Sequence, residues 1–351
     1  MRFLSPNFYY TGKTHVRLND RQLRARDTVR QKIESGVYEF EGAPCPCGGS
    51  EDGLVAETDR YGLRLNTVIC RKCGLLRTDP RLTERSLRMF YEKDYRDLYM
   101  GEEYGDMENY FRGMVRRGTY MKDLLKDHVP GLWLKGMDVL EVGCSAGGIL
   151  EPFLKAGARV KGYDYDKRYL EYGNSRNKGL NLCCGGLEDL RDEIARYDII
   201  IMNHVLEHVI DIRGAIELIK NSLKKNGIFY VSVPGARNPE YYFSPSKSFI
   251  GTIHIAHLYH FTKATLANFL EGFSCYFIDD TVRGIFRVGE DVQKTFCDGH
   301  DECPEMLDYI KKYEQGTPSK VRRSLMKMIG SRKDGLAWRL YLLKAALRRD
   351  N

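Results

Sequence analysis

Residues 139–148 read VLEVGCSAGG, a short apolar run followed by a turn of very small residues and the start of a helix-like segment. Small residues let the backbone approach a ligand closely, and a helix N-terminus favours an anionic group such as a carboxylate or a phosphate. The dinucleotide pattern G-x-G-x-x-G is not met, because Ser145 takes the place of the middle glycine. The segment therefore predicts a ligand-binding turn of another kind, with a purely structural turn as the alternative.

Around this turn, apolar strand-like runs alternate with helix-like segments. A run such as 198–202 is almost wholly apolar, which is typical of a strand covered on both faces. Alternation at this spacing predicts an α/β fold: a Rossmann-like, doubly wound, mostly parallel seven-stranded sheet. The predicted strands are 138–142, 159–163, 180–184, 198–202 and 228–233, with an antiparallel edge pair at 275–280 and 285–288, and the predicted helices are 148–156, one from about 167, 212–223 and 262–271.

Residues 139–147 resemble the first motif of class I S-adenosylmethionine (SAM) dependent methyltransferases, hydrophobic-hydrophobic-(Asp/Glu)-x-Gly-x-Gly-x-Gly. GYD at 162–164, GGLEDL at 185–190, YDIIIMNHVLEHV at 197–209 and KKNGIFYVSVP at 224–234 resemble later motifs of the same family. An acid at the end of the second strand can accept hydrogen bonds from both ribose hydroxyls. The resemblance covers about residues 134–288 and implies SAM as cofactor, with Glu141, Gly143, Cys144, Ser145, Gly147, Asp164, Tyr165, Leu187, Asn203 and His204 as its binding residues.

Four of the ten cysteines fall into two pairs, C-x-C at 45–47 and C-x-x-C at 70–73. Zn²⁺ prefers four soft ligands in a tetrahedron, and paired cysteines on two tight turns supply them. Gly48 and Gly74 follow the pairs, where such turns need conformational freedom. The spacing predicts a structural Zn²⁺ site, with four unrelated thiols as the alternative. Its ligands would be Cys45, Cys47, Cys70 and Cys73.

A four-cysteine module followed by a SAM-binding domain resembles a group of bacterial sugar methyltransferases. Some members act on nucleotide-linked sugars, and others are encoded with surface-polysaccharide genes. The resemblance includes FYEKDYR at 90–96. It implies a saccharide or other small-molecule acceptor. O-methylation is expected, because members that methylate carbon usually carry a further C-terminal domain, for which the chain is too short.

Five of the eight histidines follow the predicted fourth and fifth strands, and ligands of doubly wound sheets bind at the carboxyl ends of strands. Methylation of a hydroxyl needs a base, and histidine is suited to that role near neutral pH. His208 is the first choice as general base and His260 the second, with Glu207 as an orienting carboxylate. The alternative for each histidine is a capping or core role. Predicted substrate contacts are Tyr95, and Tyr242, His254 and His257 in a lid-like insertion at 234–261.

The net charge of +7 is unevenly distributed. Residues 320–351 hold ten Lys/Arg and two Asp, so this segment carries +8 and the rest of the chain −1. A neutral body does not favour a nucleic-acid partner. The basic amphipathic tail could bind an anionic membrane surface or a protein partner, or pack on the chain's own core. No apolar run approaches ~18 residues and the first residues lack the apolar run of a secretion signal, so we expect a cytoplasmic, or peripherally membrane-bound, protein.

These observations predict a SAM-dependent O-methyltransferase acting on a saccharide or nucleotide-sugar hydroxyl. The alternatives are a sugar C-methyltransferase or another small-molecule methyltransferase, and, from other classes, an RNA methyltransferase or a non-catalytic SAM-binding subunit. The sequence makes no prediction of the oligomeric state. The predicted organisation is an N-terminal helical extension (1–41), a zinc-binding module (42–82), a helical lid or linker (83–134), the SAM-binding domain (135–290) and a helical basic tail (291–351).

Overall fold

Runs of β-branched and other apolar residues form the central strands of a seven-stranded sheet. The structure is a computed structural model that describes residues 4–99, 101, 106–237, 248–289 and 302–315. In its middle strands the side chains of residues 199–202 are completely buried, because helices cover both faces of the sheet. The strands in chain order are β1 (Phe40–Glu41), β2 (Asp52–Thr58), β3 (Arg64–Cys70), β4 (Leu76–Thr78), β5 (Arg81–Leu82), β6 (Asp138–Val142), β7 (Arg159–Asp164), β8 (Leu182–Cys184), β9 (Tyr197–Asn203), β10 (Leu223–Ser232), β11 (Tyr259–His260), β12 (Phe273–Ile278) and β13 (Arg283–Val288).

The seven-stranded sheet has the order β12-β13-β10-β9-β6-β7-β8. The strands from β10 to β8 run parallel, whereas β13 pairs antiparallel with both β10 and β12. The chain proceeds from β6 to one side through β7 and β8, and then returns to the other side through β9 and β10. The switch point of the topology therefore lies between β6 and β9, where ligands of such folds bind. The predicted fold class, including the antiparallel edge pair, is confirmed.

The helices begin at side-chain caps that satisfy their free N–H groups. Asn19 and Gln22 form a capping box at the first helix, and Asp106, Asp166 and Asp211 cap later ones. The helix predicted at 148–156 is shorter than expected, because the chain first continues the small-residue turn up to residue 150. The helices are α1 (Asp20–Glu34), α2 (Glu84–Lys93), α3 (Tyr95–Tyr99), α4 (Met107–His128), α5 (Glu151–Lys155), α6 (Lys167–Arg176), α7 (Ile212–Ser222), α8 (Lys263–Phe269) and α9 (Glu302–Glu314).

A second, four-stranded antiparallel sheet forms the cysteine module, and it is completed by a distant segment. Its order is β11-β4-β3-β2, so that Tyr259 and His260 of β11 pair with Arg77 and Leu76 of β4. The predicted insertion at 234–261 is described at 234–237 and 248–261, and its second part contributes β11 to the sheet of the module. Its apolar side chains are buried against the module, and packing with the module was not anticipated from the sequence. Tyr242 lies outside the described residues.

One hydrophobic core joins the module to one face of the seven-stranded sheet. It runs from Leu63 and Leu75 of the module to Leu140 and Phe229 of the sheet. A second core on the opposite face packs α4 and α5 against the strands. The helix α9 lies within the predicted tail and buries Met306 and Ile310 in the first core, whereas the basic segment 320–351 lies outside the described residues. Among the described helices, none has the length and apolar character needed to cross a bilayer.

Candidate active site

The turn after β6 is tied to the end of β7. The backbone N–H of Gly143 donates to the carbonyl of Tyr163 over 2.8 Å, and that of Ser145 donates to Oδ2 of Asp164 over 2.8 Å. Gly143, Ser145 and Gly147 all have positive φ, which lets the chain fold tightly around the carboxyl end of β6. The predicted ribose-binding acid is thereby placed beside the small-residue turn.

The side chains around this turn fit a nucleoside and amino-acid ligand such as SAM. Glu141 is buried, and its Oε2 has no hydrogen-bond partner among the described residues, so a donor on a ligand would satisfy it. Burial, and secondly the charge of Asp164, raise the pKa of Glu141 well above its ordinary value. The ring of Tyr165 is 65% exposed and lies against Gly186, where a Cβ would come within 2.3 Å of its hydroxyl. Gly186 therefore leaves room for the hydroxyl of Tyr165 next to Leu187, another predicted cofactor residue.

Three other predicted cofactor residues lie at the same edge of the sheet, and their side chains differ in whether the protein already engages them. Cys144 turns inward, since a Cβ on Gly162 would lie 2.6 Å from its Sγ, and its N–H donates to Tyr163. Its side chain is thus engaged with the protein. Asn203 ends β9, and His204 follows with a φ of +57°. Both are half-buried at the switch point.

A buried carboxylate lies among three imidazoles just beyond β9. Glu207 is 1% exposed, and neither of its oxygens has a hydrogen-bond partner among the described residues. Its Oε1 is 3.4 Å from Nδ1 of His204, 3.7 Å from Nε2 of His208 and 4.0 Å from Nε2 of His257. A buried carboxylate needs a hydrogen-bond donor or a cation beside it, so Glu207 can hold an adjacent imidazole in place.

Contacts at Nδ1 fix the orientation of the His208 ring. Nδ1 lies 2.8 Å from the carbonyl oxygen of Ala256 and 2.6 Å from Oη of Tyr91. Because a carbonyl only accepts, the neutral tautomer that satisfies it carries its proton on Nδ1 and leaves the lone pair on Nε2. That lone pair is on the nitrogen that lies 3.7 Å from Oε1 of Glu207, and it is the basic atom that His208 would offer to a hydroxyl.

A line of aromatic rings leads away from His208. The ring centroids of Tyr91 and Tyr95 are 4.9 Å apart, and Tyr95 stacks on Tyr99 at 5.3 Å. Tyr99 lies 5.8 Å from His254, whose ring is 3.7 Å from that of His257. The structure thus brings three of the four predicted substrate residues, Tyr95, His254 and His257, next to the predicted base.

His260 is less suited to act as base than His208. It is buried in β11, and its Nε2 has no hydrogen-bond partner among the described residues. Burial lowers the pKa of His260 to about 4, and burial likewise lowers the pKa values of His254 and His257 well below the ordinary value. A histidine with so low a pKa takes a proton poorly near pH 7.

Among the residues that the structure describes, two groups of side chains could hold a metal ion. The four predicted cysteine ligands converge, with Sγ atoms 3.6 Å apart for Cys45 and Cys73 and for Cys47 and Cys70. All four offer thiol sulfur, and their turns have the positive φ predicted at Gly48 and Gly74. Such a closed set suits structural Zn²⁺. The second group is Glu207, His208 and His257, whose ligand atoms lie within 4.8 Å of one another.

Sequence reasoning missed the contribution of the cysteine module to this site. Asp59, Arg60 and Tyr61, in the turn between β2 and β3, lie against His254, with the rings of Tyr61 and His254 6.2 Å apart. Nothing in the spacing of these residues points to a distant histidine. Tyr91 and Tyr99 were detectable, since with Tyr95 they recur every fourth residue.

Part of the chain is similar to known proteins. Residues 116–280, a little under half of the chain, match the family profile of a methyltransferase domain. These residues form a methyltransferase domain. The match agrees with the domain predicted from the motifs at 139–234.

The relatives extend over part of the chain only. The ubiquinone biosynthesis O-methyltransferase of Methylocella silvestris is 28% identical over 127 residues, 35% of this chain and 50% of that protein. The one of Pelagibacter ubique is 31% identical over 115 residues, 32% of this chain and 48% of that protein. The chain thus spans about half the length of these relatives. A solved structure, a putative SAM-dependent methyltransferase from Listeria monocytogenes, is 17% identical with a TM-score of 0.41, covering 50% of this chain and all of that one.

Proposed function

We propose that the chain is a SAM-dependent O-methyltransferase whose acceptor is a hydroxyl of a saccharide or nucleotide-linked sugar, with His208 as general base. The observation that carries the proposal is the fixed Nδ1 side of His208, which leaves Nε2 beside the buried carboxylate of Glu207. O-methylation is supported by the names of the relatives from Methylocella and Pelagibacter. The saccharide acceptor is supported by the resemblance of the cysteine module to sugar methyltransferases.

The chain's residues would divide the work as follows. The turn at Gly143, together with Asp164 and Glu141, would hold SAM, which supplies a methyl group activated by its sulfonium charge. Nε2 of His208 would take the proton of the acceptor hydroxyl, whose oxygen would receive the methyl group, and the sulfur of SAM would keep the electron pair of the bond that it loses. Glu207 stabilises the imidazolium that forms.

Substitution of the base tests the assignment. His208→Gln should lower kcat by about 10²–10⁴-fold, the usual contribution of a positioned base, while SAM affinity by isothermal titration stays the same. His128→Gln is the matched control, because His128 stacks on Phe277 of β12, away from the Glu207 cluster. Full activity of His208→Gln with an unchanged pH profile would eliminate His208 as the base.

The acceptor is tested by supplying candidates with radiolabelled SAM. Nucleotide-linked sugars and free saccharides form one arm, and a polyprenyl phenol, as the names of the relatives suggest, forms the other. Label in the sugar arm supports the proposal, and label confined to the phenol arm contradicts the acceptor class. A chelator arm addresses the second candidate metal group: loss of transfer that a divalent cation restores, at unchanged zinc content and unchanged thermal midpoint, would favour a metal at Glu207, His208 and His257 over a free base.

A further inference from the structure

The turn between β2 and β3 of the cysteine module is fixed against the histidine segment of the methyltransferase domain. Oδ1 of Asp59 accepts from the backbone N–H groups of Tyr61 and Leu63, both over 2.9 Å, and Oδ2 accepts from Ile255 over 3.3 Å. The N–H of Arg60 donates to the carbonyl of Ile253 over 2.9 Å. These bonds flank His254 on both sides in sequence, so the turn is part of the wall of the candidate site.

Arg60 places a cation inside this wall. Its side chain is buried, with 6% of the residue exposed. The guanidinium carbon lies 4.7 Å from the ring centroid of Tyr61 and 5.4 Å from that of Tyr99, and Nη2 donates to the Tyr61 hydroxyl over 2.6 Å. Tyr99 is 39% exposed, so one of the two rings beside the guanidinium reaches the surface.

The charge of Arg60 acts on the groups that line the site. After burial, it is the next cause that lowers the pKa of His254, and it is a smaller contribution to the lowered pKa of His257. A guanidinium has a planar fork of donors that matches a carboxylate or phosphate, and two aromatic faces hold this one in a single orientation. Such a group, removed from water, binds an oxyanion more strongly than a surface arginine does.

We propose that Arg60 binds an anionic group of the acceptor, a phosphate or a carboxylate, and that the cysteine module thereby forms part of the acceptor site. The inference rests on the proposed function, since it assigns a chemical class to the acceptor methylated next to His208. It gives the module a role in specificity in addition to its place in the fold.

The test compares Arg60 with a second arginine of the same hairpin. Arg64 stacks on Tyr10 with its guanidinium carbon 4.7 Å from the ring centroid, but it is exposed at the start of β3. Binding of pyrophosphate and of glucuronate to the SAM-loaded protein is measured by isothermal titration. Wild type is expected to bind one of them, and the stronger binder identifies the phosphate or the carboxylate arm. Arg60→Gln should weaken that binding at least about tenfold, whereas Arg64→Gln should not change it.

Arg60→Lys separates recognition from folding. Lysine keeps the charge but cannot offer the planar fork, so an intermediate loss of affinity with unchanged thermal unfolding is expected. Once an acceptor is known, Arg60→Gln should raise its KM while kcat and SAM affinity change little. The proposal is overturned if wild type binds neither anion at millimolar concentration, or if a folded Arg60→Lys and Arg60→Gln bind both as wild type does. These titrations measure binding and do not require turnover. They therefore test Arg60 even if His208 is not the general base.

Discussion

At the level of single residues, the site combines groups that the motifs identify with groups that only the fold brings together. His208, Glu207 and Asp164 could be selected from the sequence, because each follows a strand whose end faces the switch point. The contacts that surround these residues could not be predicted from the sequence. The Nδ1 contacts of His208 come from Tyr91 and Ala256, which lie 117 and 48 residues away in the chain. The choice between His208 and His260 as base depends on burial, which the sequence does not give.

The burial of His260 predicts that the folded protein becomes less stable in acid. Its pKa is about 4 in the folded protein and ordinarily about 6.5, so the unfolded chain binds the extra proton between these values. The contribution of neutral His260 to the free energy of unfolding is therefore complete above about pH 6.5 and is lost as the pH falls towards 4. The free energy of unfolding, measured by urea titration, should therefore decrease between pH 6.5 and 4 by on the order of 3 kcal/mol for this residue.

His260→Gln provides the comparison, since glutamine has no proton to gain in that range. The variant should show a smaller decrease of unfolding free energy between pH 6.5 and 4 than wild type. Identical pH dependence of the two proteins would show that His260 is not held neutral by burial.

At the level of secondary-structure elements, the order of strands and helices in the seven-stranded sheet was predicted better than their ends. Strand β6 was predicted with its observed bounds, because the apolar residues Val139, Leu140 and Val142 end directly at the glycine turn. The helix after the glycine turn was predicted too long, since the turn continues with backbone conformations that sequence pattern does not distinguish. The pairing of β11 with β4 joins residues about 180 positions apart, and no local signal in either segment indicates its partner.

Close packing of α4 against the glycine turn region predicts opposite effects for two glycines of one helix. A Cβ on Gly118 would lie 2.2 Å from the carbonyl oxygen of Ile149, whereas one on Gly113 would meet only a side-chain nitrogen of Arg116 at 3.8 Å. Gly118→Ala should lower the free energy of unfolding by about 1–3 kcal/mol through overpacking. Gly113→Ala should raise it by roughly 0.5–1 kcal/mol, because alanine favours the helix. Urea unfolding of both variants tests this, and equal effects would contradict the packing described for α4.

At the level of the whole molecule, the cysteine module and the methyltransferase domain form one structure around a shared core and a shared site. The hydroxyl of Thr78 donates to the carbonyl of His257 over 3.0 Å, and β11 extends the module's sheet. The sequence predicted the two units separately, because each has its own motifs. The packing of the two units against each other depends on side chains from 52–82 and 248–261. Nothing in the sequence of either segment indicates that it contacts the other.

Because the module and the methyltransferase domain share one core, we predict that loss of the proposed metal destabilises the whole chain. Structural zinc in small domains contributes on the order of 10 kcal/mol to folding. Cys70→Ser should reduce bound zinc, measured by mass spectrometry, and lower the midpoint of a single thermal transition for the whole chain. Cys184→Ser, at an exposed position on β8, is the control and should leave both unchanged. Zinc-free wild-type protein with an undiminished midpoint would contradict the metal assignment.

The central claim is that the edge of the sheet at Gly143 and Asp164 binds SAM, and isothermal titration with SAM tests it most directly. Wild type should bind one SAM per chain. Asp164→Ala should weaken this binding at least about tenfold, since a carboxylate that accepts two ribose hydroxyls is lost, while Asp192→Ala, at an exposed position after β8, should bind as wild type does. Absence of SAM binding by wild type, or equal affinity of wild type and Asp164→Ala, would contradict the account.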